Sequence, residues 1–302
     1  MEFDTLRTMD TQLLEAFVAV AGTGSFSLAA ERVHVTQPAI SKRIAMLEDH
    51  LGCRLFDRIS RTVYLTEAGK ALLPRAERIL RELAETRQAI HDLSGEVSGN
   101  LRIAISHHIG LHRLPPVLKR FAGLNPEVSL EVDFMDSEVA YDGVLHVRFE
   151  VAVITLAPEP HPRVEAEVIW PDPLAPMVSS DHPLASIQRV AIADLSAYPA
   201  VLPGPDTYTG RMIKKLFDGE GYPFTAMMAT NYLETIKMLV SVGLGWSILP
   251  TTMLDDALRV LDCPGLGLSR QLGFIHHRDK TLSNAARAFI ALLREEQKGP
   301  TP

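Results

Sequence analysis

The sequence predicts a chain in two parts. A small helical N-terminal unit of the helix-turn-helix kind and a long helix precede a larger C-terminal α/β unit. Three observations predict this. Residues 26–47, FSLAAERVHVTQPAISKRIAML, read as a short helix, a tight turn and a second helix. Residues 67–93 hold a sustained heptad pattern. From Leu101 onward short apolar runs alternate with amphipathic stretches. A chain of 302 residues, 46% hydrophobic and 22% charged, is long and apolar enough for two domains with full cores. The expected bounds are 1–66, 67–94 and 95–302.

The helix pair rests on spacing. Leu28, Ala29 and Val33, then Ile40, Ile44 and Leu47, recur at helical intervals, so each helix has one apolar stripe. Ala29 and Ala30 are small enough for a close helix crossing. The Thr36 hydroxyl is expected to cap the second helix, and Pro38 is tolerated in a first turn, where its missing N–H costs nothing. Thr36, Gln37, Pro38, Ser41, Lys42 and Arg43 lie opposite the stripe. Gln, Ser and Thr read base edges, while Lys and Arg mostly meet phosphates. An ordinary surface helical hairpin has the same spacing.

The net charge of −7 argues at first against nucleic acid, but its distribution answers the objection. Residues 10–94 hold 11 basic and 11 acidic side chains; residues 95–302 hold 18 basic and 24 acidic. The N-terminal unit is therefore neutral, and Arg32, Lys42, Arg43, Arg54, Arg58 and Arg61 are expected to share one face. Phosphate contacts supply most non-specific affinity. A neutral unit with few of them is expected to depend on dimerisation and palindromic half-sites.

The dimerising element follows. Leu72, Ala76, Ile79, Leu83, Thr86, Ile90 and Leu93 alternate steps of four and three. Glu77, Arg78, Arg81, Glu82, Glu85 and Arg87 flank this seam, as in a coiled coil. A long amphipathic helix lying on its own domain is the competing reading. Pro74 sits early and can bend the helix, and the run Ser94-Gly95-Glu96-Val97-Ser98-Gly99-Asn100 ends it.

In the C-terminal part, 101–105 reads as a strand, 109–121 as a helix, 128–134 as a strand, 136–146 as a helix and 151–155 as a buried strand. Alternation continues to Trp246-Ser247-Ile248-Leu249-Pro250 and a final helix from Thr281 to about Glu296. That order predicts mainly parallel strands. In such sheets ligands sit at the carboxyl ends of strands.

The residues after the helix pair narrow the reading. Leu51-Gly52-Cys53-Arg54-Leu55-Phe56-Asp57-Arg58 leads into Ile59-Ser60-Arg61-Thr62-Val63-Tyr64-Leu65-Thr66-Glu67-Ala68-Gly69. With Phe17, Gly24-Ser25-Phe26, Ala29-Ala30, the Thr36-to-Ser41 run and Leu47-Glu48, this closely resembles the N-terminal domain of LysR-type transcriptional regulators, in detail over roughly residues 10–95. The resemblance implies a winged helix-turn-helix, a long dimerising linker helix and a C-terminal effector domain shaped like a periplasmic binding protein. That domain would have two Rossmann-like subdomains joined by two crossover strands, with the effector in the cleft between them. Arg58 to Val63 would form the wing, with Arg58 and Arg61 near phosphate or the minor groove, and Ser27 joins the DNA-facing set. Met9-Asp10 looks like the family's usual start, which would make residues 1–8 an upstream extension. One departure is visible: where members carry a Gly-x-Leu-Asp-type segment, this chain has Val147-Arg148-Phe149-Glu150.

Strand ends then nominate the cleft. Ser106, His107 and His108 follow the first strand, and Asp136 and Ser137 follow the second, after Met135. Leu202, Pro203 and Gly204, with Thr207 nearby, belong to the second subdomain, and Asn231 is expected to open a helix over 231–242. A helix N-terminus is an anion site, so a small acidic metabolite is the expected effector. Helix capping alone would explain the same residues. His108 and His112 are four apart, but no cysteine or nearby carboxylate in the sequence completes a metal set, so no metal is expected. Cys53, expected as a small packed side chain, and Cys263 fall in different domains, which argues against a switch disulfide.

The expectation is a homodimer, by the family a dimer of dimers, that binds an inverted-repeat site in double-stranded promoter DNA. The effector would shift DNA bending and contact with RNA polymerase. No Gly-x-Ser-x-Gly, phosphate loop or dinucleotide fingerprint favours an enzyme, and no cofactor is expected. An α/β ligand-binding protein or enzyme with an incidental helical N-terminus is the competing class; a structural nucleoid protein, binding without sequence preference, is a third. There is no signal-peptide layout and no apolar run of membrane-spanning length, so a cytoplasmic protein is expected.

Overall fold

The computed structural model describes residues 10–59, 62–222 and 226–298. It divides after Ser94 into two compact units.

The first unit contains α1 (Thr11–Thr23), α2 (Phe26–Arg32), α3 (Gln37–Leu51), a hairpin of β1 (Phe56–Ile59) and β2 (Thr62–Leu65), and α4 (Glu67–His91). Asp10 caps α1 and Ser25 caps α2 through their side chains. Thr36 precedes α3 in extended geometry, but its hydroxyl makes no capping bond; Pro38 occupies the first turn as expected. The turn between α2 and α3 passes through His34 at a φ of 55°, a left-handed conformation that histidine adopts more readily than most residues. Ala29, Ala30, Ile40, Ile44 and Leu47 are buried with Phe17 and Phe26, but Leu28 is 53% exposed. The stripe of α2 thus runs through Phe26, Ala29 and Ala30, turned from the expected one. The Phe56 ring packs 5.3 Å from Phe17 and edge-on to Phe26. Glu48 accepts hydrogen bonds from the Leu55 and Phe56 N–H groups, tying the end of α3 to the start of the hairpin.

The long helix serves two surfaces. Ala76 is fully buried, and Leu72, Leu73 and Leu80 pack on the core of this same unit. The first two positions of the predicted seam therefore belong to the domain's own core. Beyond them Ile79, Leu83 and Ile90 are exposed by 41%, 39% and 66%. Leu93, 86% exposed, lies in a single 3-10 turn (Asp92–Ser94) rather than in the helix. Thr86, the polar seam member, returns its hydroxyl to the Glu82 carbonyl.

The second unit is built on a mixed seven-stranded sheet. β3 (Gly99–Ser106) lies between β4 (Val128–Met135) and β5 (Val151–Thr155), parallel to both. The remaining pairings are antiparallel, which corrects the expected parallel sheet. They arise because β6 (Val164–Ser179) is 16 residues long and pairs along its length with β11 (Leu268–His277). Pro171, Pro173 and Pro176 interrupt the apolar pattern of β6, so periodicity does not show one continuous strand. At Gly273 in β11 the pairing slips by one residue, and a Cβ there would come 1.9 Å from the Glu167 carbonyl oxygen, so only glycine fits.

Around β3–β5 lie α5 (His107–His112), α6 (Pro115–Leu124), α7 (Ser137–Leu145) and α11 (Asn284–Lys298). The expected helix over 109–121 is thus two, because consecutive Pro115 and Pro116 suit a helix's first turn but inside one would remove two ladder hydrogen bonds. The far end of β6 pairs with β9 (Ser247–Pro250) and β10 (Leu258–Val260). Beside them lie α8 (Ile192–Ser196), the parallel pair of β7 (Ala200–Leu202) and β8 (Ala226–Ala229), α9 (Tyr208–Glu220) and α10 (Leu233–Ser241). Separate cores fill the two halves. Phe121, Phe274 and Phe289 stand in one; Phe217 stacked on Trp246 stands in the other. β6 and β11 run through both, so the unit has two α/β subdomains joined by a two-strand bridge.

Val147, in the position where the family resemblance implies glycine, has a φ of 57°. An L-residue pays roughly 1–2 kcal/mol there, most of all when β-branched. The acidic position has a partner: Glu150 accepts from the Ser283 N–H and hydroxyl, just before α11. Val147→Gly is expected to raise the stability of this unit by up to about 1 kcal/mol, less than the strain because glycine gains freedom in the unfolded chain. Both tryptophans, Trp170 and Trp246, lie in this unit, so denaturation followed by their fluorescence reports on it alone. An unchanged or lower midpoint would show that the valine side chain outweighs the strain.

Candidate functional site

Two surfaces carry the chemistry, one in each unit. In the first, Gln37, Pro38 and Lys42 of α3 are exposed, with Thr36 just before them, while Ser41 and Arg43 are half-buried. Gln37 donates from its amide to the Ser41 hydroxyl at 3.0 Å, and Arg43 donates to Gln12 at 2.8 Å. The first bond links the two side chains expected to read bases; the second ties a cation to α1. Ser27, Arg32 and Arg54 are exposed as well. Arg58 stands on β1, at the base of the wing, and the expected contact from Arg61 lies outside the described residues. Cys53 is exposed rather than packed.

In the second unit a cleft opens where the carboxyl ends of β3, β4 and β5 face the second subdomain. Its cavity volume is about 60 Å³, room for a few waters or a very small ligand as the halves stand. Ser106, His107, His108, Asp136, Ser137, Pro203, Thr207 and Asn231 all line it. Leu202 does not: it is 3% exposed, packed in the core behind β7. Gly204 is already engaged, its N–H held by Asn231 at 3.1 Å and its carbonyl by the Thr207 hydroxyl at 2.8 Å. Gly210 permits that turn, since a Cβ there would lie 2.1 Å from the Gly204 carbonyl oxygen. Asn231 does not open a helix. It stands two residues before α10 and donates across the cleft to Asp136 at 2.7 Å.

Sequence reasoning missed Arg270, Glu138, Thr155, Tyr208 and Thr209, all of which line the cleft. Arg270 on β11 faces Asp172 on β6 across the bridge, with Nε 2.7 Å from the carboxylate, and also donates to Thr209 at 3.2 Å. Asp172 is fully buried and Arg270 nearly so, yet Arg270 Nη2 and Asp172 Oδ1 find no hydrogen-bond partner among the described residues. A lone charge inside a proline-rich strand, Pro171-Asp172-Pro173, was the available signal; its partner lies 98 residues away.

Glu138, in the first turn of α7, accepts the Tyr208 N–H at the N-terminus of α9. Burial raises its carboxyl above the ordinary range, against that hydrogen bond. Thr207 caps α9 through its hydroxyl. A carboxylate of the protein itself thus occupies the helix end that a bound anion would favour. His107 packs against Tyr232 at 4.5 Å between ring centres. Burial and the Arg270 charge hold the His108 imidazole down at about 4, so it is neutral at ordinary pH. The carboxylate absent from the sequence reasoning about metals is Glu234 of α10, 2.8 Å from His112 and 3.4 Å from His108.

A helix pair presenting polar side chains beside a wing, on a chain with a polar cleft between two α/β subdomains, defines a ligand-responsive DNA-binding regulator. Comparison with known proteins gives the family. Residues 94–298 match the LysR substrate binding domain, and residues 11–70 match the bacterial regulatory helix-turn-helix protein, lysR family. The chain belongs to the LysR family of transcriptional regulators. A RuBisCO operon transcriptional regulator of Allochromatium vinosum is 30% identical over 94% of this chain and 95% of its own. An uncharacterized HTH-type transcriptional regulator in the ibpB-leuC intergenic region of Azotobacter vinelandii is 67% identical over 108 residues, 36% of this chain and 75% of that one. The fold also matches full-length CbnR complexed with its target DNA, with a TM-score of 0.70 and 24% identity over 95% of this chain and all of that one.

The buried pair makes a stability prediction. Arg270→Ala leaves Asp172 charged and unpaired, which is expected to cost about 3–5 kcal/mol. The double replacement Arg270→Met with Asp172→Leu should recover most of it. Tryptophan-monitored denaturation distinguishes the cases; a single variant as stable as wild type would show that the pair does not hold the bridge.

Proposed function

We propose that this regulator acts in the cytoplasm as a dimer, reads a palindromic promoter site with Gln37 and Ser41, and answers to a small acidic effector in the cleft. Its role is then regulatory rather than catalytic. The observation that carries the effector class is Arg270: its guanidinium stands at the cleft wall with Nη2 unpartnered and closed to solvent, so a ligand reaches it only when the cleft opens further. A carboxylate is the group that such a nitrogen binds best. Ser106 and His107 line the same cleft. The dimer reading rests on Ile79, Leu83 and Ile90, an exposed apolar stripe at heptad spacing on α4. Promoter binding and a change in contact with RNA polymerase follow from the family. Among the described residues no helix is long and apolar enough to cross a membrane.

On an operator selected from random-sequence DNA, Gln37→Ala and Ser41→Ala should each weaken specific binding by more than about 1 kcal/mol. Leu83→Lys with Ile90→Lys should sediment as a monomer and lose operator affinity. Wild-type binding by the first two would remove them as base readers, and an intact dimer would remove the seam.

For the effector, full-length protein is screened by thermal shift against small carboxylates and neutral analogues. A ligand at a hundredfold excess over its Kd adds about 2.7 kcal/mol of apparent stability. A carboxylate should shift the wild type, and Ser106→Ala should blunt that shift. Binding by neutral compounds alone would overturn the acidic reading.

A further inference from the structure

We propose that His108, His112 and Glu234 form a divalent metal site that clamps one subdomain of the effector domain to the other. This goes beyond the effector reading and stands whether or not the cleft takes a carboxylate. His108 and His112 sit one helical turn apart on α5, in the first subdomain. Glu234 projects from the first turn of α10, in the second. One ligand atom from each lies within 4.8 Å of the others, and these three are the only such group among the described residues.

The geometry is close to what a small divalent cation needs. Zinc with nitrogen ligands at about 2.0–2.1 Å in a tetrahedron sets ligand atoms about 3.3 Å apart. His108 Nδ1 already lies 3.4 Å from Glu234 Oε1. His112 Nε2 lies 2.8 Å from the same oxygen, so it must withdraw by roughly half an ångström. Two imidazoles and a carboxylate are a donor set that zinc and its neighbours accept, with at least one position left for water or another ligand. His108 is the anchored ligand of the three. Its side chain is 6% exposed, which fixes the ring, while His112 at 47% leaves an entry path. Without metal the three form a hydrogen-bonded cluster; with metal the same side chains hold α5 to α10 by coordinate bonds.

The test uses full-length protein freed of metal by a chelator, which is then removed. Zinc chloride is titrated by calorimetry, and cobalt chloride is followed by visible absorption. The exposed Cys53 is replaced by serine throughout; the half-buried Cys263 remains, and a cobalt spectrum without thiolate charge transfer shows that it does not ligate. We expect one zinc per chain and a cobalt spectrum of low coordination number without thiolate charge transfer. His112→Ala and Glu234→Gln should each cut affinity at least about tenfold. Both change half-exposed side chains, so they keep the fold even if a His108 replacement does not. No binding by the Cys53→Ser protein, or wild-type affinity in both variants, would overturn the site.

Discussion

The pairing of β6 with β11 is the constraint on which the effector domain depends. These two strands belong to both cores at once, and Arg270 faces Asp172 where they pass between them. An ion pair taken out of water repays its desolvation only with good geometry and further hydrogen bonds. Here the geometry is good, with Nε on the carboxylate at 2.7 Å, but the hydrogen bonding is incomplete, since Nη2 and Oδ1 lack partners. An apolar pair would come close to the same stability in that position. Such a pair is therefore better explained by what it presents: a fixed cation at a cleft whose remaining charged lining groups, Asp136 and Glu138, are acidic.

The division of the N-terminal unit follows from one helix with two jobs. Leu72 and Ala76 continue a heptad in sequence, yet in space they close the core that Phe17, Phe26 and Phe56 begin. The same register carried forward leaves Ile79, Leu83 and Ile90 outside it. A periodic stripe identifies an apolar face but not what covers it, and here the domain's own core covers only its first part. A DNA-binding unit with equal numbers of acidic and basic residues gains little from phosphates alone. Doubling the contacts through this outer stripe is the economical remedy.

What could be read from residues alone was local. The helix pair, the approximate bounds of β3–β5 and the cleft residues at their ends follow from spacing and strand–helix boundaries, signals that span a dozen residues, while the hairpin was implied only by the family resemblance. Thr36 shows the limit even there, because a residue suited to capping need not cap. The rest required distance. Three prolines hid β6, and antiparallel pairing with β11 depends on a partner about a hundred residues away. Asp172 with Arg270, and His112 with Glu234, are likewise joined only by the fold. The departure at Val147 and Glu150 was visible in the sequence, but its geometry was not. It is a retained left-handed turn whose acidic neighbour holds the chain just before the final helix.

The way the cleft is held shut bears on how little an effector must do. Besides the shared bridge strands, its polar crossings include Asn231 to Asp136, the Tyr208 N–H to Glu138, and the histidines to Glu234. Two of the three lie at exposed positions, where a hydrogen bond is worth about 0.5–1.5 kcal/mol net. The third places a half-buried carboxylate on the end of α9, a position that costs desolvation and raises its affinity for a proton. Closure held by a few such contacts rests on a few kcal/mol. A ligand that distinguishes the closed from the open arrangement a hundredfold shifts the balance by about 2.7 kcal/mol, a comparable amount. Polar crossings, unlike an interlocked apolar core, can be exchanged for contacts to a ligand without unfolding either half.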